Sequence, residues 1–393
     1  MEPPAQSRIE CLDGLRGLAA LWVLLGHCAI LTGLTLPVIG MPDLGVDLFM
    51  MLSGFLMVFH YQLRAKQESW SAPGTWMKFW ARRYFRIAPL YYVMLLLALL
   101  FGPAILAWRA ITDSFVHILP QGPQTYTDVS PANIAAHVSF LFGLLPSYAI
   151  RTPLPDWSLG LEMQFYAAFP VLMLLTRKLG WTASAALIAL AAAIATRATW
   201  HFSIHYPVPS FLPFKIDIFL AGMLLAESCR KGRRTAMLYL ALALVLALQP
   251  FQGEGSLQRI AIREILVLVF FALVLYGFLP GALGTCAGKI STMLGRNPFR
   301  WLGEISYSVY LLHLPVMAPV IGFVTLHYGH ELAAPTRFTI AFLAVSAIVY
   351  PLSWLTYRFI EMPGQAAGRA LLRHISGKAI DARTDRPESF AAP

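Results

Sequence analysis

Near the amino terminus Arg16 and His27 share one stretch, separated only by Gly17-Leu18-Ala19-Ala20-Leu21-Trp22-Val23-Leu24-Leu25-Gly26. Eleven residues make about three helical turns, so the two side chains leave a helix from nearly the same side, roughly 16 Å apart along its axis. Imidazole titrates near neutrality and can take a proton from a hydroxyl or return one to a leaving group. An ionisable group at membrane depth is costly, and it marks a functional site by default. The competing account is a hydrogen bond between helices that holds a bundle together. Arg16 on the same face favours chemistry.

Three more clusters follow. In Arg82-Arg83-Tyr84-Phe85-Arg86, directly before an apolar run, Arg83 and Arg86 are three apart, share a helix face and can fork onto phosphate oxygens. A juxtamembrane anchor for anionic lipid is the alternative. Ser158, Glu162 and Tyr166 recur every four residues after Trp157 and make a polar stripe on an apolar helix. A carboxylate there can orient an imidazole or bind sugar hydroxyls, or Ser158 simply caps the helix. Ser306, Tyr310 and His313 form a third stripe, which packing and hydrogen bonds between helices explain equally well, and Glu361 follows near the end, available to neutralise Arg358 or an arginine near residue 83.

The elements that position these groups must lie in a bilayer. The 393 residues are 58% hydrophobic and 13% charged, about half the charge of a soluble domain. Apolar runs near the length of a membrane-spanning helix recur from end to end. Candidate spans fall near 14–31, 44–61, 87–107, 133–148, 158–176, 181–196, 211–228, 236–250, 262–279, 303–325 and 338–360. If 133–148 does not cross, all but seven of the 30 Lys and Arg residues fall on one side. The seven are Arg109, Arg151, Arg197, Lys215, Arg259, Arg263 and Arg337. The positive-inside rule therefore selects an all-α bundle of ten spans with both termini in the cytoplasm.

The same topology accounts for the net charge of +10 without nucleic acid, because the cations sit in short clusters between apolar runs. The first apolar run lacks a convincing cleavage site and reads as a span. Cys11, Cys28, Cys229 and Cys286 have neither disulfide nor zinc-ligand spacing. The domain is expected over 1–363, the tail over 364–393 as short, polar and disordered, and no soluble domain is expected beside them. The longest exterior segment, Trp108 to Asp156, rich in proline, is either a resting place for an acceptor or merely a long loop.

These blocks together resemble the membrane acyltransferase-3 family: LDGLRGLAALWVLLGH, GVDLFMMLSGFLM, RRYFRIAPLYY, WSLGLEMQFY, LGEISYSVYLLH and YRFIEMP, spread in the family's order from residue 12 to 363. The resemblance implies a bacterial inner-membrane enzyme that moves an acyl group, commonly acetyl, from cytoplasmic acyl-coenzyme A to a hydroxyl of a sugar or glycolipid, with no permanently bound cofactor. It implies catalytic roles for His27 and Glu162, donor binding by Arg16, Arg83 and Arg86, and acceptor binding by Trp157, Ser158 and Tyr166. Where the family has Glu-Glu-Gln this chain has Glu162-Met163-Gln164, so no paired-carboxylate mechanism is expected. The rival class is a transporter of a sugar or lipid-linked glycan, in which buried polar stripes are equally at home.

Overall fold

The computed structural model describes residues 5–65, 69–70, 73–118, 121–202, 204–248 and 256–384, and among them every regular element is helical. The first three helices are α1 (Ala5–Thr32), α2 (Pro42–Arg64) and α3 (Pro73–Val116). Pro42 opens α2, where its missing amide costs nothing. Helix α3 runs for 44 residues through Pro89 and Pro103. At 1.5 Å per residue that is about 66 Å, roughly twice the hydrocarbon thickness of a bilayer. The arginines at 82, 83 and 86, expected directly before the span with Arg83 and Arg86 on one helix face, lie on the same continuous helix as the span itself.

Two short helices, α4 (Gln124–Thr127) and α5 (Pro131–Val138), and a 3-10 turn over Leu141–Leu144 follow. Ser130 caps α5 by accepting from the Asn133 amide. Eight residues extend only about 12 Å, so 133–148 is not a helical crossing. Next come α6 (Trp157–Leu179), α7 (Trp181–His201), α8 (Ile216–Ser228), α9 (Arg233–Ala247), α10 (Leu257–Val274), α11 (Gly281–Leu294), α12 (Phe299–Glu304), α13 (Ser306–Tyr328), α14 (Ala334–Thr356) and α15 (Met362–Thr384).

Among the described residues, seven helices are long and apolar enough to cross a membrane: Cys11–Thr32, Pro42–Arg64, Gly74–Val116, Trp157–Leu179, Trp181–His201, Ser306–Tyr328 and Ala334–Arg373. Three of the ten expected spans differ from these. Helices α8 and α9 have 13 and 15 residues, about 20 and 22 Å, and α10 carries Arg259, Arg263 and Glu264. The expected disordered tail is helical as far as Thr384, leading from α14 through one wide π-type turn at Tyr357–Glu361. Packing supplies the reason: Gly364 and Gly368 lie so close to Pro89 and Phe85 that a methyl at either would collide, which seats the start of α15 on α3. Residues 385–393 lie outside the described residues.

The bundle closes by the approach of small residues. Gly54 of α2 meets the Phe219 carbonyl and Gly222 of α8 meets the Met51 carbonyl, with no room for a side chain at either. This crossing brings α2 and its Ser53 into the interior. Six of the seven cations outside the clusters have anionic or carbonyl partners. Arg109 pairs with Asp113, Arg151 with Asp128, Arg259 with Asp43, and Lys215 and Arg263 with Asp47 and Asp217. Arg337 donates to the carbonyls of Thr32, Gly329 and Leu332. A charge in or beside a bilayer persists when paired and hydrogen-bonded.

Candidate functional site

Two cavities share a wall inside the bundle, and the expected site residues divide between them. The first, the arginine cavity, gathers Arg16 from α1, Ser53 from α2, Arg83 and Arg86 from α3, and Ser158, Glu162 and Tyr166 from α6. Its remaining lining is mostly apolar, with Phe49, Met50, Leu56 and Phe219 among it. The second, the histidine cavity, takes His27 and Leu31 from α1, Asp43 from α2, Arg109 from α3, Trp157 from α6 and Leu314 from α13, and is walled by Gln121, Tyr126, Ala149, Ile150 and residues 152–155. Arg16 and His27 lie on one helix as expected, yet each opens into a different cavity.

In the arginine cavity three guanidiniums face one carboxylate. The Glu162 carboxylate accepts from Ser53 Oγ at 3.0 Å and from the Tyr166 hydroxyl. Tyr166 is held in turn through its backbone carbonyl, which accepts from Trp80 Nε1 at 3.0 Å. The Arg83 guanidinium lies 5.7 Å from the Tyr166 ring centre and 5.8 Å from that of Phe79, a cation–π arrangement. Its Nε is buried with no hydrogen-bond partner among the described residues. An unmet donor beside excess positive charge, on helices fixed by packing, is suited to an anionic group such as phosphate.

His27 is differently furnished. Its Nδ1 lies 3.0 Å from the Val23 carbonyl and 3.3 Å from Nε2 of His313. The rings are 5.0 Å apart and tilted by 43°. Fully buried His313 holds its own Nδ1 2.6 Å from the Tyr310 carbonyl. A carbonyl only accepts, so this bonding assigns a hydrogen to Nδ1 of each neutral ring. His313 Nε2 is then a bare acceptor for the His27 Nδ1 hydrogen, and His27 Nε2 keeps its lone pair. Such a nitrogen on a cavity wall is a base or a nucleophile.

The structure therefore joins Arg16, Arg83 and Arg86, as expected, and places Ser158, Glu162 and Tyr166 with them rather than with His27. The expected catalytic partnership of His27 with Glu162 is not formed: the imidazole is bonded to Val23 and His313, and the carboxylate is engaged by Ser53 and Tyr166. Of the three expected acceptor-binding residues, Trp157 alone lines the cavity of His27. Glu361, expected to neutralise Arg358 or an arginine near residue 83, is buried, accepts from Ser308 and lies within electrostatic reach of Arg86 and Arg16. His313 was visible in sequence only as one member of a polar stripe.

The exterior wall has its own polar core. Asp156, one residue before α6, accepts from Thr152 at 2.7 Å and Tyr91 at 3.1 Å, with His137 Nε2 at 3.7 Å. Burial pushes its carboxyl above the usual carboxylate range, against the pull of His137, Thr152 and Tyr91.

A polytopic helical protein with a cationic cavity backed against a histidine cavity is the class these features define. Its sequence matches the Acyl_transf_3 model, an acyltransferase domain, over residues 9–358, and the chain belongs to that family. It is similar to the peptidoglycan O-acetyltransferase OatA of Listeria monocytogenes, 26% identical over 90% of this chain and 55% of the relative. It is also similar to the acyltransferase MdmB of Streptomyces mycarofaciens, 26% identical over 84% of this chain and 82% of the relative. The chain thus spans about half the length of the first. No solved structure matches it significantly.

Proposed function

We propose that the protein is an integral-membrane O-acyltransferase, which moves an acyl group, acetyl first among them, from cytoplasmic acyl-coenzyme A to a hydroxyl of a sugar or cell-surface glycan. One observation carries this reading: His27 lines the larger cavity, which backs onto the arginine cavity, and is held at Nδ1 by Val23 and His313, which leaves Nε2 as its unengaged nitrogen. The names of the relatives, an O-acetyltransferase of peptidoglycan among them, support the same chemistry.

Arg16, Arg83 and Arg86 hold the coenzyme's phosphates, and the thioester arm runs along the apolar lining toward His27. In direct transfer, His27 Nε2 takes the acceptor's hydroxyl proton as the oxygen attacks the thioester carbonyl. The carbon–sulfur bond breaks, and the thiolate recovers the proton from Nε2. In the carrier scheme, Nε2 attacks the thioester carbonyl, the carbon–sulfur bond breaks and the coenzyme leaves as thiolate; the acceptor oxygen then displaces the imidazole from the acyl carbon, and its hydroxyl proton balances the thiolate released in the first step. Direct transfer requires both substrates bound together; a carrier histidine gives ping-pong kinetics and an isolable acylated enzyme. Tyr126 and Trp157 offer aromatic faces, and Asp43, Gln121 and Thr152 offer polar groups, to an acceptor sugar.

On this reading both termini lie in the cytoplasm of a bacterial inner membrane, the orientation that the cation clusters favour, and α8, α9 and α10 complete ten crossings. The test of function is radiolabelled acetyl-coenzyme A supplied to the purified chain in lipid nanodiscs with muropeptides or cell-envelope oligosaccharides. Covalent label in the acceptor is the expected result. In proteoliposomes, movement of the glycan without covalent label identifies a transporter and overturns the proposal.

A further inference from the structure

Arg109 is the one permanent cation among the described residues that line the histidine cavity. A Cβ at Gly33, directly after α1, would lie 3.3 Å from the side chain of Val116, the last residue of α3. His27 and Arg109 stand six and seven residues before that meeting point, about 9 and 10.5 Å back along their helices. The imidazole is within electrostatic reach of the guanidinium. Asp113, 2.7 Å from Nη2, accounts for a cation at membrane depth. It does not engage Nε, which is buried with no hydrogen-bond partner among the described residues. Other donors on this lining are committed: the Tyr126 hydroxyl bonds Gln121, that of Thr152 bonds Asp156 and that of Tyr310 bonds Ser158. Amides within the helical walls are spent on their own helices.

We propose that Arg109 is the oxyanion-stabilising residue of the transfer, donating to the acyl oxygen as negative charge develops there. The inference rests on the transfer reading above. When the acceptor oxygen or Nε2 attacks, a bond forms to the thioester carbon and the carbonyl's π pair moves onto its oxygen. That pair returns as the carbon–sulfur bond breaks and the sulfur leaves as thiolate. In the carrier scheme the same oxygen takes up charge a second time, when the acceptor displaces the imidazole. Such charge is best met by donors fixed in advance, and a guanidinium combines positive charge with several N–H groups in one plane. Asp113 holds that plane before substrate arrives. Arg109 stays protonated throughout, so the proton transfers belong to His27.

The test uses the full chain in nanodiscs with radiolabelled acetyl-coenzyme A and muropeptides, and measures kcat with both KM values. Arg109→Gln combined with Asp113→Asn exchanges the ion pair for a neutral one and strands no buried charge. Its kcat is expected to fall by about 10²- to 10³-fold, as for one lost oxyanion donor, with neither KM changed. A second donor, in which sulfur replaces the carbonyl oxygen, separates this role from a folding defect, because sulfur accepts hydrogen bonds weakly. The wild-type protein is expected to favour the oxygen donor, and the double variant to lose most of that preference. An unchanged kcat, or an equal preference in wild type and variant, overturns the oxyanion role while leaving the transfer reading intact. So does a raised acceptor KM at constant kcat, which would make Arg109 a binding group for an anionic acceptor. A wild-type protein that transfers no label removes both. If the double variant fails to insert, Arg109→Lys decides alone, since it keeps the charge and loses the planar fork. A kcat lowered about tenfold, with the oxygen preference reduced, supports the proposal, and an unchanged kcat overturns it.

Discussion

The arginine cavity is narrow and built from helix-borne side chains, whereas the histidine cavity is roughly seven times larger and walled on one side by the irregular segment that precedes α6. Three guanidiniums and the carboxylate of Glu162 line the first, with Asp13 3.8 Å from Arg16 outside that lining; in the second, Arg109 and Asp43 are each paired with a group of opposite charge, Asp113 and Arg259. The first suits a ligand whose anionic part is constant, held by groups that packing has fixed in advance. The second, near 590 Å³, falls within the usual 300–1,000 Å³ of small-molecule sites and draws its walls from loops, which tolerate variation. A constant donor and a variable acceptor fit that division.

The largest expected effect separates chemistry from binding. His27→Ala removes the nitrogen with the free lone pair, and turnover is expected to fall by about 10²- to 10⁴-fold. Membrane insertion and donor affinity should stay unchanged, because the phosphate-binding groups lie in the other cavity. Initial rates beside a direct donor-binding measurement check this. Retained turnover would remove the reaction from the histidine cavity.

Next in size is Arg83→Ala. A hydrogen bond to a charged group is worth about 1.5–3 kcal/mol, so donor affinity is expected to weaken by about 10- to 100-fold. The dependence of rate on acceptor concentration should not move. Arg83→Lys is expected to restore only part of the loss, since an ammonium lacks the planar fork and the broad face that stacks on Tyr166. A change confined to maximal rate, with donor affinity intact, would take Arg83 out of donor binding.

Smaller again is His313, a positioning residue that acts through His27. His313→Ala leaves the Val23 carbonyl as the remaining partner of His27 Nδ1, so the ring is less firmly oriented, and the maximal rate is expected to drop about tenfold with both substrate affinities unchanged. The limb of the pH–rate profile that reports His27 should move as well, which a merely structural defect would not produce. An unmoved profile would leave His313 a packing residue.

How much of this was legible in sequence follows from how each cavity is built. Arg83 with Arg86, and Ser158 with Glu162 and Tyr166, are spaced three or four residues apart on continuous helices, so a face could be read without any knowledge of the fold. His27 and His313 meet across 286 residues, and no local period announces such a contact. The same limit explains Glu162. Its stripe was legible, but the crossing of α2 over α8 that delivers Ser53 to it depends on Gly54 and Gly222 meeting distant carbonyls. The spans were legible where apolar runs were long, and ambiguous for α8, α9 and α10, which are short or charged. Tail disorder was a reading of composition, whereas Gly364 and Gly368 pack by contact with α3.

The smallest effect tests whether the loop wall is independent of the helices. Asp128 accepts from the Ser130 amide at 3.0 Å and lies 3.4 Å from Arg151, while Asn133 Nδ2 ties the backbone carbonyls of Asp128 and Arg151 together. Hydrogen bonds from the Ser130 hydroxyl and then its amide, with attraction from Arg151 and His137, hold the Asp128 carboxyl below the usual value. A depressed carboxylate contributes stability that is fully present above its unfolded pKa, about 3.9, and is lost as pH falls through the lower folded value. Protection of the segment's amides, relative to their intrinsic exchange rate at each pH, should therefore be constant from neutrality to about pH 5 and should fall as pH drops through the carboxyl's lowered range. Hydrogen exchange across 121–156, measured beside that of α3 and α6, reads this directly. In Asp128→Asn the acid dependence should vanish and exchange should be modestly faster at every pH, with the arginine cavity's helices unaltered; equal acid sensitivity in the variant would mean that another group fastens the wall.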